Sequence, residues 1–496
     1  MVSSKTRLLL GVVLAMHVGG IAAQRPLPQA PATYLADLAE RRARTMAAIG
    51  PETALVLWSA PRRIYSADTA YEYRQESNLL YLAGIDQPDT ALVLVPGAAG
   101  PKVFLFVRAP DPTRELWDGH TLTADEVTAR SGVTSVAPQR DTEAFDAFID
   151  QLFTPPSSAT VEGAFSAAVA AGKARLAILA PVEGRPSADD EGHVAWARDV
   201  ARRHSGVAVV SARKILEEQR QIKTAYEQAV LRRSVEISAE AHVEGMKVAR
   251  PGRWEYEVEA AVEYWFLKNG AMSWGYPSIV GSGPNATTLH YLSSTRQMQA
   301  GDLILVDAAG DYQGLTGDIT RTYPVSGRFS PSQREIYELV LAAEDAGIAA
   351  ARPGTDVAIV TRAVRATLGA GLLRLGLITD AAAASGDSVQ INLWYPHAPM
   401  HGIGMDVHDP LGKLDPGAAF VIEPGLYIRA DTFDRLRADP AQADLARRIA
   451  PAVEKYRNIG VRIEDSFLMT ATGPEMLSIK APRSVRDVER VVGTRR

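Results

Sequence analysis

Two aspartates lie inside strand-like runs, at Leu303-Ile304-Leu305-Val306-Asp307-Ala308 and Gly317-Asp318-Ile319-Thr320-Arg321. Aspartate is depleted in β-strands, so its presence in both runs calls for a physical reason. If the chain reverses at Tyr312-Gln313, Asp307 lies directly opposite Asp318 on one face of a hairpin. Like charges in that relation repel, so the pair needs either a cation between them or an open, solvated face. Because Asp307 alternates with leucines on its face, the pattern favours a buried cation site.

Three of the nine histidines fall in one short stretch, His397-Ala398-Pro399-Met400-His401-Gly402-Ile403-Gly404-Met405-Asp406-Val407-His408. Pro399 interrupts any helix here, which excludes the helical His-Glu-x-x-His pattern of zinc proteases. The cluster predicts a metal or substrate site. The alternative is three loop histidines with separate structural partners.

Two further acids stand in apolar strand-like runs of the same half of the chain. Glu423 ends the run that begins at Phe420, and Glu464 lies within the run Val461–Leu468. Each of them alone could be an exposed acid at a strand end. Together with the two aspartates they supply four negative charges, and burying four uncompensated carboxylates would be prohibitively unfavourable.

Two divalent cations would neutralise such a cluster. A carboxylate-rich set with one imidazole and no thiolate favours Mn²⁺, and Co²⁺, Fe²⁺ or Zn²⁺ also accept these ligand types. Two metal ions in one site can share a hydroxide and polarise a carbonyl group. The predicted metal ligands are Asp307, Asp318, His401, Glu423 and Glu464.

Composition excludes several other classes of protein. The chain has 496 residues, no cysteine, and 53 Lys+Arg against 58 Asp+Glu, a formal net charge of −5. Without cysteine, disulfide frameworks, thiolate zinc sites and iron–sulfur clusters are excluded. The near-balanced charge argues against a nucleic-acid partner, because nucleic-acid-binding surfaces usually carry a basic excess. We expect a globular protein with sizeable cores.

Residues 1–23 have the order of a secretory signal peptide, with Lys5 and Arg7 before an apolar run over Leu8–Met16 and small residues after it. That run is far shorter than the ~20 residues that cross a bilayer. We therefore expect an exported protein, periplasmic or extracellular, with no membrane contact beyond the export signal. An uncleaved anchor and a wrongly assigned start are the alternatives.

The pattern of elements predicts two α/β domains. Over residues 34–215, short apolar strands alternate with helices, which is typical of a mixed α/β domain. A second domain over 216–480 opens with the capping box Thr224-Ala225-Tyr226-Glu227 and continues as helix, helix, hairpin, twice over. This order indicates two similar halves. The charged, Pro-interrupted stretch Asp431–Lys455 is predicted to be a surface excursion.

The acids and His401 together resemble the five-ligand dinuclear site of the pita-bread metallopeptidases, and within them the aminopeptidase P family. The N-terminal half also resembles that family, at Arg74-Gln75-Glu76-Ser77-Asn78-Leu79-Leu80-Tyr81-Leu82-Ala83-Gly84 and Arg114-Glu115-Leu116-Trp117. The resemblance implies a creatinase-like N-terminal domain followed by a pita-bread catalytic domain with pseudo-two-fold symmetry. Methionine aminopeptidases resemble only the catalytic half, and creatinases lack the metal set.

The resemblance also implies an activity and roles for further residues. It implies a metal-dependent aminopeptidase that hydrolyses the N-terminal Xaa-Pro bond of peptides through a hydroxide shared by two metal ions. Glu423 would shuttle a proton, and Arg462 and Tyr427 would support the metals. Three histidines would line the substrate site, namely His290, His397 and His408. From the residues alone, His290 could equally be structural.

Three points stay open at this stage. Trp117 matches a position that can reach a partner subunit, so a homo-oligomer (a dimer or a tetramer) is expected. Prolidase, which is restricted to Xaa-Pro dipeptides, is the nearest alternative activity. A catalytically silent pita-bread module that binds peptides is the alternative outside enzymology, although such modules usually lack part of the ligand set.

Overall fold

The structure is a computed structural model that describes residues 31–139, 143–157, 161–181 and 187–494. The predicted signal segment lies outside the described residues. Within those ranges, no helix combines the length and the hydrophobicity needed to cross a membrane.

The N-terminal domain is built on a six-stranded mixed sheet with helices on both faces. Its strands are β1 (Thr53–Trp58), β4 (Ala91–Leu94), β5 (Val103–Arg108), β6 (Val136–Gln139), β7 (Arg175–Ile178) and β8 (Ala208–Ser211), with a small hairpin of β2 (Ile64–Ser66) and β3 (Thr69–Ala70). The helices are α1 (Ala32–Ile49), α2 (Ser77–Ala83), α3 (Pro112–Asp118), α4 (Ala124–Ser131), α5 (Glu143–Phe153), α6 (Gly163–Ala170), α7 (Glu191–Arg203) and α8 (Arg213–Gln221). The order across the sheet is β6-β5-β4-β1-β7-β8. Strand β4 pairs antiparallel with both neighbours, and the other pairs are parallel.

The C-terminal domain consists of two similar halves, as the sequence predicts. The first half contains α9 (Ala225–Val248), α10 (Glu255–Lys268), β9 (Ser273–Trp274), β10 (Ile279–Ser282), β11 (Leu303–Asp307), β12 (Gly310–Tyr312), β13 (Leu315–Thr316) and β14 (Thr320–Pro324). The second contains α11 (Pro331–Ala350), α12 (Val357–Leu375), β15 (Ala419–Ile422), β16 (Gly425–Tyr427), α13 (Ala430–Ala438), α14 (Ala443–Tyr456), β17 (Gly460–Arg462), β18 (Asp465–Met469), β19 (Pro474–Met476) and α15 (Val485–Val491). Short 3₁₀ turns occupy residues 283–287, 381–385, 389–393 and 440–442.

The two halves bring their inner sheets together under paired outer helices. One sheet has the order β10-β11-β14 and the other β15-β18-β19. Isolated bridges at Thr320–Glu464 and Gly402–Phe420 join segments next to these sheets. The predicted α/β N-terminal domain followed by a pita-bread domain is confirmed. The capping box is also present: the Thr224 hydroxyl accepts from the Glu227 N–H, and the Glu227 carboxylate accepts from the Thr224 N–H.

The predicted register of the hairpin was wrong by two residues. The turn residues are Gln313 and Gly314, with φ of 55° and 79°, rather than Tyr312-Gln313. Two consecutive positive φ values are typical of the tight turns whose twist matches paired strands. Asp307 therefore lies opposite Thr320, and Asp318 precedes β14 instead of facing Asp307 across the ladder.

The run Val461–Leu468 is likewise not one strand. It divides into β17 and β18, because Glu464 leaves the ladder to form a bridge with Thr320 of the other half. Glu423 directly follows β15, which agrees with its predicted place at the end of that strand before a turn.

The stretch Asp431–Lys455 was predicted to be a surface excursion, and this prediction was wrong. The stretch forms helices α13 and α14. Four residues of α14 are buried at helical spacing and join the core of the C-terminal domain, namely Leu445, Ile449, Val453 and Tyr456. The many charges and an internal proline hide this apolar stripe in the sequence.

The turn at Gly314 gives the first testable prediction. A Cβ at Gly314 would lie 2.9 Å from Leu80 Cδ2, and the residue sits at positive φ. We expect Gly314→Ala to lower the free energy of unfolding by about 1–2 kcal/mol, measured by urea denaturation. The matched control is Gly192→Ala in α7, where nothing lies within 4 Å of the added Cβ. The control should be neutral or stabilising by up to about 1 kcal/mol, so equal losses in both variants would contradict the argument.

Candidate metal centre

The five predicted ligands come from strand ends and adjoining loops at the junction of the two halves. Asp307 is the last residue of β11, and Asp318 precedes β14. His401 and Glu423 flank β15, and Glu464 lies between β17 and β18. Strand ends can deliver side chains from different directions onto one point while the strands themselves stay paired.

His401 lies at the centre of the acids. Its Nε2 atom is 3.6 Å from Asp318 Oδ2, 3.5 Å from Glu423 Oε1 and 3.7 Å from Glu464 Oε1. Ligand atoms of Asp318, His401 and Glu464 all lie within 4.8 Å of one another. These distances are longer than typical hydrogen bonds, and they leave room for metal ions between the ligand atoms.

Asp307 joins the cluster through a tyrosine that the sequence did not indicate. The Tyr276 hydroxyl lies 2.6 Å from Asp307 Oδ1 and also contacts Asp318 Oδ1. On its other side, Asp307 Oδ2 accepts from Arg462 Nη2. The structure thus brings all five predicted ligands together, with Arg462 beside them.

Two features show that these residues fit a bound cation. His401 Nδ1 lies 3.0 Å from the Gly402 carbonyl and donates to it, which leaves the Nε2 lone pair facing the acids. Glu464 Oε2 accepts from the Thr320 hydroxyl at 2.8 Å, but its buried Oε1 has no hydrogen-bond partner among the described residues. A buried oxygen without a donor is unusual in a folded protein, and a divalent ion at this point would satisfy it.

The electrostatics point the same way. Burial, together with the charge of Glu464, raises the pKa of Glu423 to about 8. Burial and the charges of Glu464 and Asp307 raise the pKa of Asp318 well above its usual range. Burial alone would lower the pKa of His401, but the surrounding carboxylates of Glu464 and Glu423 raise it to about 9. Without cations, protons have to neutralise the cluster.

A chain of hydrogen bonds runs from the cluster to His397. Arg462 Nη1 donates to the Tyr427 hydroxyl at 2.9 Å, and that hydroxyl lies 2.9 Å from His397 Nε2. His397 Nδ1 is 2.9 Å from the Ala398 carbonyl and 3.7 Å from Glu423 Oε2. Burial and the positive charge of Arg462 lower the pKa of His397 to about 3, so its ring is neutral.

The other two predicted substrate histidines lie on the open side of the cluster. The His408 ring centre is 4.2 Å from that of His401, and His408 is exposed. Partial burial and the neighbouring His401 and His290 lower the pKa of His408. His290 follows the 283–287 turn and is exposed as well. These positions suit contact with a molecule entering from solvent.

Helix α9 supports the two aspartates through a ladder that sequence reasoning also missed. Ser234 Oγ donates to the Gly310 carbonyl at 2.8 Å, the Gly310 N–H donates to Ser238 Oγ at 3.0 Å, and His242 Nε2 lies 3.0 Å from the Ala308 carbonyl. All three side chains are fully buried. In the sequence, their spacing of four residues indicates that they share one face of a helix. It does not indicate that this face contacts the backbone of Ala308 and Gly310. Tyr276 offered no such signal.

The fold and the carboxylate–histidine cluster are those of a metallopeptidase with an added N-terminal domain. Residues 229–471 match the model of metallopeptidase family M24, and residues 38–161 match the aminopeptidase P N-terminal domain. The Xaa-Pro aminopeptidase of Escherichia coli (strain K12) is 33% identical over 91% of this chain and 96% of its own length.

Solved structures agree with these sequence matches. Aminopeptidase PepP of Pseudomonas aeruginosa superimposes with a TM-score of 0.78 at 33% identity, covering 94% of this chain and 98% of its own. Zn-substituted E. coli aminopeptidase P in complex with product gives a TM-score of 0.76 at 30% identity, covering 93% of this chain and 99% of its own. The chain belongs to the aminopeptidase P family.

The raised pKa values predict that metal binding releases protons. Near neutral pH, His401 and Glu423 hold protons that a cation must displace, because metal ligands bind in their deprotonated forms. Affinity for Mn²⁺ should therefore rise between about pH 6 and pH 9. Calorimetric titration of the metal-free protein in two buffers of different ionisation enthalpy measures the protons released. A binding enthalpy independent of the buffer, with an affinity independent of pH, would contradict this prediction.

Proposed function

We propose that this protein is an Xaa-Pro aminopeptidase, which removes the first residue from peptides whose second residue is proline. The observation that carries the proposal is the complete set of acids around His401 on a fold shared with Xaa-Pro aminopeptidases along nearly the whole chain. A silent binding module would be expected to lack part of this set. The relatives named above favour the aminopeptidase over a prolidase.

The ligand set would hold two divalent ions, with Mn²⁺ favoured by the oxygen-rich donors. When bound, such ions supply Lewis-acid polarisation of the scissile carbonyl and a nucleophilic water of lowered pKa. The residues that would hold them are Asp307, Asp318, His401, Glu423 and Glu464. Arg462 offsets part of the remaining negative charge through its contact with Asp307.

Glu423 is the ligand placed to move a proton. Its side chain is 17% exposed, whereas that of Glu464 is 1% exposed, so Glu423 faces the open side of the cluster. The leaving proline nitrogen must gain a proton when the bond breaks, because the tertiary amide carries none. Glu423 would collect a proton from the attacking water and deliver it to that nitrogen.

The neighbouring histidines would orient the peptide. The Tyr427 hydroxyl holds His397 Nε2, so the remaining ring proton is on Nδ1, toward Ala398 and Glu423. Both ring nitrogens of neutral His397 already have partners, so the ring would donate to a substrate oxygen only by exchanging the Ala398 carbonyl for it. His408 and His290, both exposed, would contact the peptide on the solvent side.

Export and assembly are separate parts of the proposal. The order of residues 1–23 supports export to the periplasm or beyond. Mass spectrometry of the purified protein tests this by identifying its N-terminal residue.

Leu116 and Trp117 on α3 are 80% and 83% exposed, which supports a homo-oligomer in which this helix is covered. Light scattering of the purified protein distinguishes a monomer, a dimer and a tetramer.

Peptide length and sequence provide the direct test of activity. With Mn²⁺ added, the protein should release the first residue from Xaa-Pro-Xaa tripeptides and longer peptides, while the same peptides with alanine second should be poor substrates. Glu423→Gln should lower kcat by at least about 10²-fold, because it removes the proton carrier. Chelation of divalent ions should abolish turnover. Amino-acid release is followed by mass spectrometry.

The control is Glu475→Gln, which alters an exposed acid that pairs with Arg232 on the surface. This variant should retain the activity of the parent protein. Cleavage of Xaa-Pro dipeptides alone would replace the proposal with prolidase, and turnover that survives both chelation and Glu423→Gln would refute a metal-dependent mechanism at this site.

A further inference from the structure

The loop over residues 401–409, called here the histidine loop, carries both His401 and His408. Its first half runs beside β15, where the Val421 N–H donates to the His401 carbonyl at 3.0 Å. Its second half contains Asp406 and His408 and lies against the N-terminal domain. The Asp409 N–H donates to the Gly402 carbonyl at 2.9 Å and joins the two ends of the loop, so His401 is anchored at β15 and His408 lies in the part that faces the N-terminal domain.

The N-terminal domain contacts the second half of the histidine loop through the segment that begins at Arg74. Ser77 Oγ donates to Asp406 Oδ1 at 2.7 Å. Arg74 Nη2 donates to the Met405 carbonyl and lies 3.7 Å from Asp406 Oδ1. These contacts join residues more than 320 positions apart in the sequence. The 74–84 stretch thus has a defined partner inside the catalytic domain.

Two positively charged side chains between the domains, Arg220 and Lys223, complete the contact. Arg220 donates to Asn78 Oδ1 at 3.0 Å, to Asp406 Oδ2 at 2.5 Å and to Asp409. Lys223 Nζ donates to Asp409 Oδ2 at 2.5 Å. The side chains of Arg220, Lys223 and Asp409 are at most 4% exposed. Water cannot readily replace the partners of Asp409, so those buried ion pairs fix one geometry, whereas the Asp406 side chain is 43% exposed and relies on its three contacts.

This network holds the two residues that bracket His408. Asp406 lies two positions before His408 and Asp409 directly after it, and both carboxylates are clamped. His401 is held by β15 and by its bond to the Gly402 carbonyl, which also accepts from the Asp409 N–H at 2.9 Å. Loss of the Ser77 contact to Asp406 leaves the partners of Asp409 in place, namely Arg220, Lys223 and the Gly402 carbonyl. Such a change should therefore displace His408 more than it displaces the metal ligand His401.

We propose that Arg74, Ser77 and Asn78 are positioning residues through which the N-terminal domain sets the place of His408 beside the metal centre. The domain then contributes to peptide binding without supplying a group that touches the metals. Only the kinetic part of the test rests on the proposed function. The alternative is that these contacts serve domain packing alone.

The test compares Ser77→Ala with Ser66→Ala, an exposed serine of β2 in the same domain. In the metal-loaded protein, Ser77→Ala should raise KM for an Xaa-Pro tripeptide about three- to tenfold, with kcat changed less than about twofold. Bound metal should be unchanged. Ser66→Ala should behave as the parent protein.

Repeating the Ser77→Ala comparison in a His408→Ala variant distinguishes positioning of His408 from domain packing. In His408→Ala, the additional effect of Ser77→Ala on KM should shrink to less than about 1.5-fold, because the side chain that it positions is gone. Where turnover of His408→Ala is too low to measure, the affinity of the metal-loaded variants for a proline-first dipeptide, measured by calorimetry, replaces KM. An effect of equal size in both backgrounds, or no effect in either, overturns the proposal.

A readout without substrate keeps this test distinct from the test of activity. Hydrogen exchange of the amides over 405–409, followed by mass spectrometry, should be faster in Ser77→Ala than in the parent and unchanged in Ser66→Ala. Unaltered exchange overturns the proposal even if the protein is an active aminopeptidase. Faster exchange supports it even if the Xaa-Pro activity fails to appear.

Discussion

Mutual repulsion among four acids gathered around one imidazole is the constraint on which the rest of the structure depends. Asp318, Glu423 and Glu464 approach His401 Nε2 to within 3.7 Å, and the Tyr276 hydroxyl ties Asp307 to them. Such a concentration of buried charge is unfavourable unless it is compensated. Arg462 compensates part of it, and the proposed divalent ions compensate the rest.

The fold makes this arrangement possible by dividing it between two similar halves. Asp307 and Asp318 come from the first half, and the other ligands from the second. Thr320 joins the halves, since its backbone pairs with Glu464 and its hydroxyl donates to the same side chain. Because neither half holds the whole ligand set, the site exists only when both halves are folded and docked.

Much of this was readable from the sequence, because an acid inside an apolar strand is a local anomaly that demands a cause. Asp307 and Asp318 stood out for that reason. The register between them did not, because it depends on Gln313 adopting a positive φ, which its neighbours do not reveal. Tyr276 went unnoticed because its partners are more than 30 residues away. The buried face of α14 was hidden by the charges of its exposed face.

The most direct test of the account is the number of Mn²⁺ ions bound per chain after dialysis, measured by atomic emission for the parent protein and for Glu464→Gln. The account predicts two ions in the parent and at most one in the variant, because Glu464 Oε1 is a buried oxygen of the ligand set that has no hydrogen-bond partner among the described residues. Glu475→Gln, on the surface, should still bind two. A parent protein that retains no divalent ion, or a Glu464→Gln variant that retains the full number, would contradict it.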